Sequence, residues 1–267
     1  MQIQRNGQRH LWLLSGTGEG PFLAEALIEQ GWDVTVSVVS SLASEAYLDL
    51  PINNIMIGQL SSEEKIKEIL IEAKVKHNGF ACVIDATHPF ATLITSQLKA
   101  ACSDIGQELI RFERPKLQTF NANLFKNFQD LFSNDMSDQR ILLAIGSRYL
   151  PEASFLARKA GAKVFARIFP TPFSFRMGLK SAIPQSNLAM MRPLKGEGFG
   201  ELESHICKRW SINRVLCRQS GGFSERLWQF VCKREGINLS LISRPDFDIE
   251  IDLVDELELL LAKLDRL

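Results

Sequence analysis

Leu11-Trp12-Leu13-Leu14-Ser15-Gly16-Thr17-Gly18-Glu19-Gly20 carries a short apolar strand, beginning at His10, into a turn with glycine at every second position. Residues 22–30 follow with apolar side chains at helical spacing (Phe22, Leu23, Ala26, Leu27), and Gly31 stands just past the end. A strand, a glycine turn and a helix in that order let backbone approach a pyrophosphate, and the opening helix points its N–H groups at the anion. The spacing is GxGxG and not the fuller GxGxxG/A, so a tight strand-to-helix turn of purely structural origin accounts for it as well.

The same alternation continues outward. Residues 34–39 and 55–57 read as strands. Ser61 and Glu64 stand at capping-box spacing before Ile66, Ile69 and Leu70, and so predict a helix start. Residues 80–84 read as a buried strand, followed by a helix through Cys102 and a strand at 109–112. This predicts an α/β fold with a doubly wound parallel sheet over residues 1–115. Residues 116–139, rich in Asn, Gln, Asp and Phe, break the rhythm and read as a crossover linker. A second alternation follows, with strands at 141–145, 163–168, 188–191, 215–217 and 239–242. Its helices fall near 150–160, 173–182, 201–210, 223–235 and 253–264. It predicts a C-terminal α/β domain over 140–267 that ends in an acidic amphipathic helix.

Chemistry is expected in the loops after the strands, where doubly wound sheets bind ligands. Gly16, Thr17, Gly18, Glu19 and Gly20 form the first. The second strand ends Val38-Val39-Ser40-Ser41 with no acid before Glu45. The acid that would hold NAD ribose hydroxyls is missing, which favours NADP. Between Arg9 and Lys65, however, there is no Lys or Arg for its extra phosphate, and Ser40 and Ser41 would have to serve. Asp85-Ala86-Thr87-His88-Pro89-Phe90-Ala91 forms another loop. There Thr87 suits a helix cap, Pro89 a first turn, and His88 either a ligand donor and acid or a helix-start hydrogen bonder.

In the second half Gly146-Ser147-Arg148-Tyr149-Leu150 and Arg218-Gln219-Ser220-Gly221-Gly222 offer hydroxyl, backbone and guanidinium donors suited to carboxylates or phosphates. Arg167, Arg176, Arg192 and Lys195 adjoin them. Neither tyrosine has Lys four residues on, and P-loop Lys-Ser/Thr, GxSxG, CxxC and paired metal-ligand patterns are missing, so no metal site is expected.

The net charge is zero over unlike parts. Residues 1–110 hold 7 basic and 13 acidic side chains, residues 111–245 hold 22 and 10, and residues 246–267 hold 2 and 8. A positive middle suggests an anionic partner, unevenly solvated faces being the plain alternative. The first apolar stretch, 11–14, is far below the roughly 18 residues of a membrane span. With five unpatterned cysteines, this leads us to expect a reduced cytoplasmic setting with no membrane or nucleic-acid partner, as a monomer or weak homodimer.

The glycine segment at 11–20, then 85–91, then Arg111-Phe112-Glu113-Arg114-Pro115, resembles the precorrin-6A and cobalt-precorrin-6A reductase family. So do Gly146-Ser147-Arg148, Arg167-Ile168-Phe169-Pro170, Ser220-Gly221-Gly222 and Arg244-Pro245, in family order. The resemblance implies two Rossmann-like domains with an active-site cleft between them. It also implies NADPH-dependent reduction of a macrocycle double bond in corrin biosynthesis, and a tetrapyrrole substrate carrying many carboxylates. On that reading the glycine turn with Ser40, Ser41, Thr87 and His88 would hold NADPH, Thr87 and His88 facing the nicotinamide as the candidate catalytic residues. Arg148, Arg218, Ser220 and Gly221 would hold substrate carboxylates. Alternatives are a nicotinamide reductase of another polyanion, or an inactive nucleotide-binding relative. The chain departs from the family at Pro21, at Arg218 where Lys is common, and at Glu197-Gly198-Phe199-Gly200.

Overall fold

Alternate residues of the first strand, β1 (His10–Ser15), face opposite sides of a sheet, and both sides are apolar. Leu11 and Leu13 pack with Leu23, Leu27, Val34 and Val36, while Trp12 and Leu14 pack with Ile66, Leu70, Leu98 and Ala101. A strand buried on both faces belongs inside a parallel sheet with helices on each side. The computed structural model describes residues 9–16, 18–119, 122–194, 196–245 and 251–267, with the backbone alone at His77. Thr17 and Lys195 therefore lie outside the described residues.

The chain divides into two units, residues 1–115 with 246–267, and residues 116–245. The first unit runs β1, α1 (Gly20–Glu29), β2 (Asp33–Val38), α2 (Ser41–Ser44), β3 (Asn54–Ile57), α3 (Glu63–His77), β4 (Cys82–Ala86), α4 (Thr92–Ile105) and β5 (Leu109–Phe112). The second runs β6 (Ala122–Phe125), α5 (Phe128–Leu131), β7 (Arg140–Leu143), α6 (Leu150–Lys159), β8 (Lys163–Ile168), α7 (Pro172–Lys180), β9 (Leu188–Met190), α8 (Glu201–Arg209), β10 (Arg214–Arg218), α9 (Phe223–Glu235) and β11 (Asn238–Ile242). The chain ends with β12 (Asp252–Val254) and α10 (Leu257–Leu264). The sheet orders are β12-β5-β4-β1-β2-β3 and β6-β11-β10-β7-β8-β9, and every pairing is parallel. The α/β, two-sheet expectation is met.

The domain boundaries need correction. Residues 116–139 are not merely a linker, because β6 lies within them and pairs with β11. Residues 246–267 do not extend the second unit, because β12 pairs with β5 and Leu260 and Leu264 of α10 enter the first unit's core. The two sheets thus exchange sixth strands: β6 follows β5 in the chain but completes the other sheet, and β12 does the converse. The exchange sharpens the charge division. The first unit carries 11 Lys and Arg against 22 Asp and Glu, the second 20 against 9, so the nets are −11 and +11.

Two local expectations shift. Ser62, not Ser61, caps α3, its hydroxyl accepting the Lys65 N–H at 3.3 Å. The cap residue of α4 is Ala91, so Thr87 does not cap it and Pro89 stands ahead of its first turn. All five cysteines are buried free thiols, and burial pushes Cys82, Cys102, Cys207 and Cys217 up to about 12. Among the described residues no helix is long and apolar enough to cross a membrane.

Candidate functional site

Parallel pairing sets the carboxyl ends of β1, β4 and β5 side by side, with Ser15 opposite Ala86 and Asp85 opposite Arg111. Asp85 and Arg111 are almost completely buried and form an ion pair, Nη1 to Oδ2 at 2.7 Å. Asp85 Oδ1 accepts the Thr87 N–H at 3.0 Å and the Thr87 hydroxyl at 2.7 Å, and Oδ2 accepts the Thr95 hydroxyl at 2.7 Å. Arg111 Nη1 donates to both threonine hydroxyls at 3.0 Å, and Nη2 donates to the Thr87 carbonyl and to Glu113. Thr87 is therefore a fixed part of a buried network, and the loop after β4 inherits that rigidity. His88 Nδ1 accepts the Phe90 N–H at 3.2 Å, which leaves the proton of the neutral ring on Nε2.

Sequence reasoning gave no role to Asp85 or Arg111. A signal was available, because each is a lone charge inside an otherwise apolar strand of a buried parallel sheet.

The three glycines of the first turn do different work. A Cβ on Gly16 would lie 3.7 Å from the His88 nitrogen, an ordinary contact distance, so the glycine turn stands beside the loop after β4. A Cβ on Gly20 would come within 1.8 Å of Ser15 Oγ and 2.1 Å of the Tyr47 hydroxyl, so Gly20 is required by packing. Gly20→Ala is expected to cost about 1–3 kcal/mol as overpacking, read as a lowered melting temperature. A Cβ on Gly18 would meet nothing within 4 Å, so the fold around it leaves approach to its backbone open. Helix α1 has no side-chain cap and no acid in its first turn. Glu19, beside it, is countered by Arg114 at 2.6 Å, and both line a cavity of about 10 Å³ with Thr87, Pro89 and Phe112. Ser40 and Ser41 stand at the end of β2, where the Ser40 hydroxyl accepts the Ala43 N–H at 3.3 Å as the cap of α2.

In the second unit the loops after β7 and β10 meet. A Cβ on Gly146 would lie 3.2 Å from Arg218 Nη2, and the Arg218 guanidinium sits over the Tyr149 ring at 5.7 Å. Burial, together with the charge of Arg148, holds the Arg218 pKa below its ordinary value, and Arg148 is exposed. Ser220 and Gly221 are buried, and Gly221 donates its N–H to Glu225 Oε2 at 2.6 Å. That N–H is thus engaged within the chain. Arg167 is buried, while Arg176 and Arg192 are exposed.

The family described as Precorrin-6x reductase CbiJ/CobK matches residues 10–265. The chain belongs to that family. Members are reductases of cobalamin biosynthesis, and this chain is an oxidoreductase of that class. It is 31% identical over 241 residues to the cobalt-precorrin-6A reductase of Synechocystis, covering 88% of each chain. It is 25% identical to the precorrin-6A reductase of Rhodobacter capsulatus, again over 88% of each. A solved structure titled CobK precorrin-6A reductase shares the fold with a TM-score of 0.74 and 22% identity, covering 96% of both chains. In this chain Pro21 occupies the first turn of α1, where its missing N–H leaves one donor fewer for an anion.

Proposed function

We propose that the chain uses NADPH to reduce one double bond of precorrin-6A or its cobalt complex, the first unit holding the nucleotide and the second the carboxylates of the macrocycle. When bound, a reduced nicotinamide supplies a hydride to one carbon of the double bond, the other carbon taking a proton. The observation that carries the nucleotide assignment is Gly18, whose open flank adjoins the uncapped amino end of α1. Arg114 neutralises Glu19, which would otherwise repel a pyrophosphate there. The Asp85–Arg111 network holds the Thr87–His88 backbone against Gly16, and so fixes the wall that a nicotinamide would meet. The strand end without an acid, Val38 to Ser41, supports NADPH over NADH. The +11 balance of the second unit, with Arg148 and Arg218 on loops that meet at Gly146, supports a substrate fringed with carboxylates.

The test is anaerobic oxidation of NADPH or NADH by the purified chain with precorrin-6A or cobalt-precorrin-6A. NADPH consumption with one of the two macrocycles is expected. A chain that binds NADPH but reduces neither would overturn the reading. Gly18→Val is expected to melt within about 2 °C of the wild type, because its side chain enters open space. NADPH affinity is expected to fall about tenfold, because that space is where the diphosphate would approach.

A further inference from the structure

The segment Arg167-Ile168-Phe169-Pro170 has no part in the roles assigned so far, and its geometry is unusual. Arg167, at the carboxyl end of β8, is 6% exposed and pairs with the fully buried Glu203 of α8 at 3.8 Å. Among the described residues, Arg167 Nε and Nη2 and both Glu203 carboxylate oxygens have no hydrogen-bond partner. Burial lowers the Arg167 pKa and raises that of Glu203. A buried ion pair held without hydrogen bonds is a poor source of stability, so its retention calls for another reason. The contact that the guanidinium does make is with an aromatic ring: its carbon sits over Phe169 at 4.6 Å from the centroid.

Phe169 is nevertheless 45% exposed. One face of the ring is backed by a buried cation, and the side chain stays open to solvent. The Phe169 carbonyl accepts the Thr171 N–H at 2.9 Å, which sets the turn after β8. Thr171 Oγ1 donates to Ser174 Oγ at 2.9 Å, and Ser174 Oγ donates to Ser147 Oγ at 3.1 Å, one residue before Arg148. This hydroxyl chain bolts the Phe169 turn to the loop that carries Arg148.

We propose that Phe169 is a stacking platform for the conjugated part of the tetrapyrrole, with Arg167 positioning the ring from behind and Glu203 holding Arg167. A ring tied through hydroxyl groups to the loop that carries Arg148 matches a partly conjugated substrate with a rim of carboxylates, and prepositioning lowers the entropy lost on binding. The proposal rests on the reading that the substrate is precorrin-6A or its cobalt form.

Phe169→Leu keeps an apolar side chain of similar size but has no π face. With precorrin-6A and NADPH it is expected to raise KM for the macrocycle about tenfold. The turnover number should stay within about twofold, with NADPH affinity and melting temperature unchanged. Phe169→Tyr is expected to stay within about twofold of the wild type throughout. Arg167→Lys keeps a charge against Glu203 but loses the planar stack, and is expected to raise KM for the macrocycle alone. Phe169→Leu with a wild-type KM would overturn the platform, and Arg167→Lys with a wild-type KM would remove Arg167 from it. A wild-type chain that reduces neither macrocycle is a different result: it sinks the underlying reading and takes the platform with it.

Discussion

Asp85→Asn is expected to destabilise the first unit by about 3–5 kcal/mol, seen as a melting temperature lower by about 10 °C. The substitution is nearly isosteric, so the loss comes from charge. Arg111 is 1% exposed and Asp85 is fully buried, and the guanidinium would exchange the 2.7 Å pair with Asp85 for the longer 3.3 Å contact with Glu113 as its remaining carboxylate. Replacing both partners with apolar residues, Asp85→Leu with Arg111→Met, is expected to recover part of the loss, since a buried ion pair is worth little against a packed apolar pair. Recovery should be incomplete, because the Thr87 and Thr95 hydroxyls give up partners as well. NADPH affinity should fall in both variants, because the Thr87–His88 loop is anchored by the same network. A melting temperature unchanged in Asp85→Asn would show that the pair does not hold that loop.

Arg218→Ala is expected to lower kcat/KM for the macrocycle by about a hundredfold, with NADPH binding within about twofold of the wild type. Truncating one partner of a desolvated, hydrogen-bonded charge pair costs about 2–5 kcal/mol, and a hundredfold loss lies within that range. Arg218 suits the task because its guanidinium lies over the Tyr149 ring, where the loops after β7 and β10 meet, in a unit of net charge +11. Arg218→Lys should retain part of the activity, since the charge remains while the planar fork is lost. Steady-state kinetics with a separate NADPH titration checks both variants. Equal losses in NADPH binding and turnover would place Arg218 outside a substrate-specific role.

Much of the fold was legible because the signals were local. The β1–turn–α1 unit was readable from apolar residues followed by alternate glycines, and the strands at 163–168 and 109–112 match to the residue. Thr87 was harder to read. A threonine after a strand and before a helix is an ordinary cap by sequence. It becomes a network residue only because β4 and β5 pair with Asp85 opposite Arg111, twenty-six positions along the chain. Gly221 was read as a donor for substrate. Its N–H is taken by Glu225 one helical turn on, a competition that spacing alone does not decide.

Sequence by itself determined that this chain has two parallel α/β sheets, where the loops after their strands lie, and that its neutral charge conceals a basic middle. Periodicity, turn residues and charge are properties of short stretches, and short stretches carry them intact. Only the tertiary structure decided that β6 and β12 change places between the sheets, giving units of −11 and +11, and that Arg111 and Arg167 lie in the interior. Three- and four-residue edge strands have little periodicity of their own, and their place is set by which unpaired sheet edge they reach.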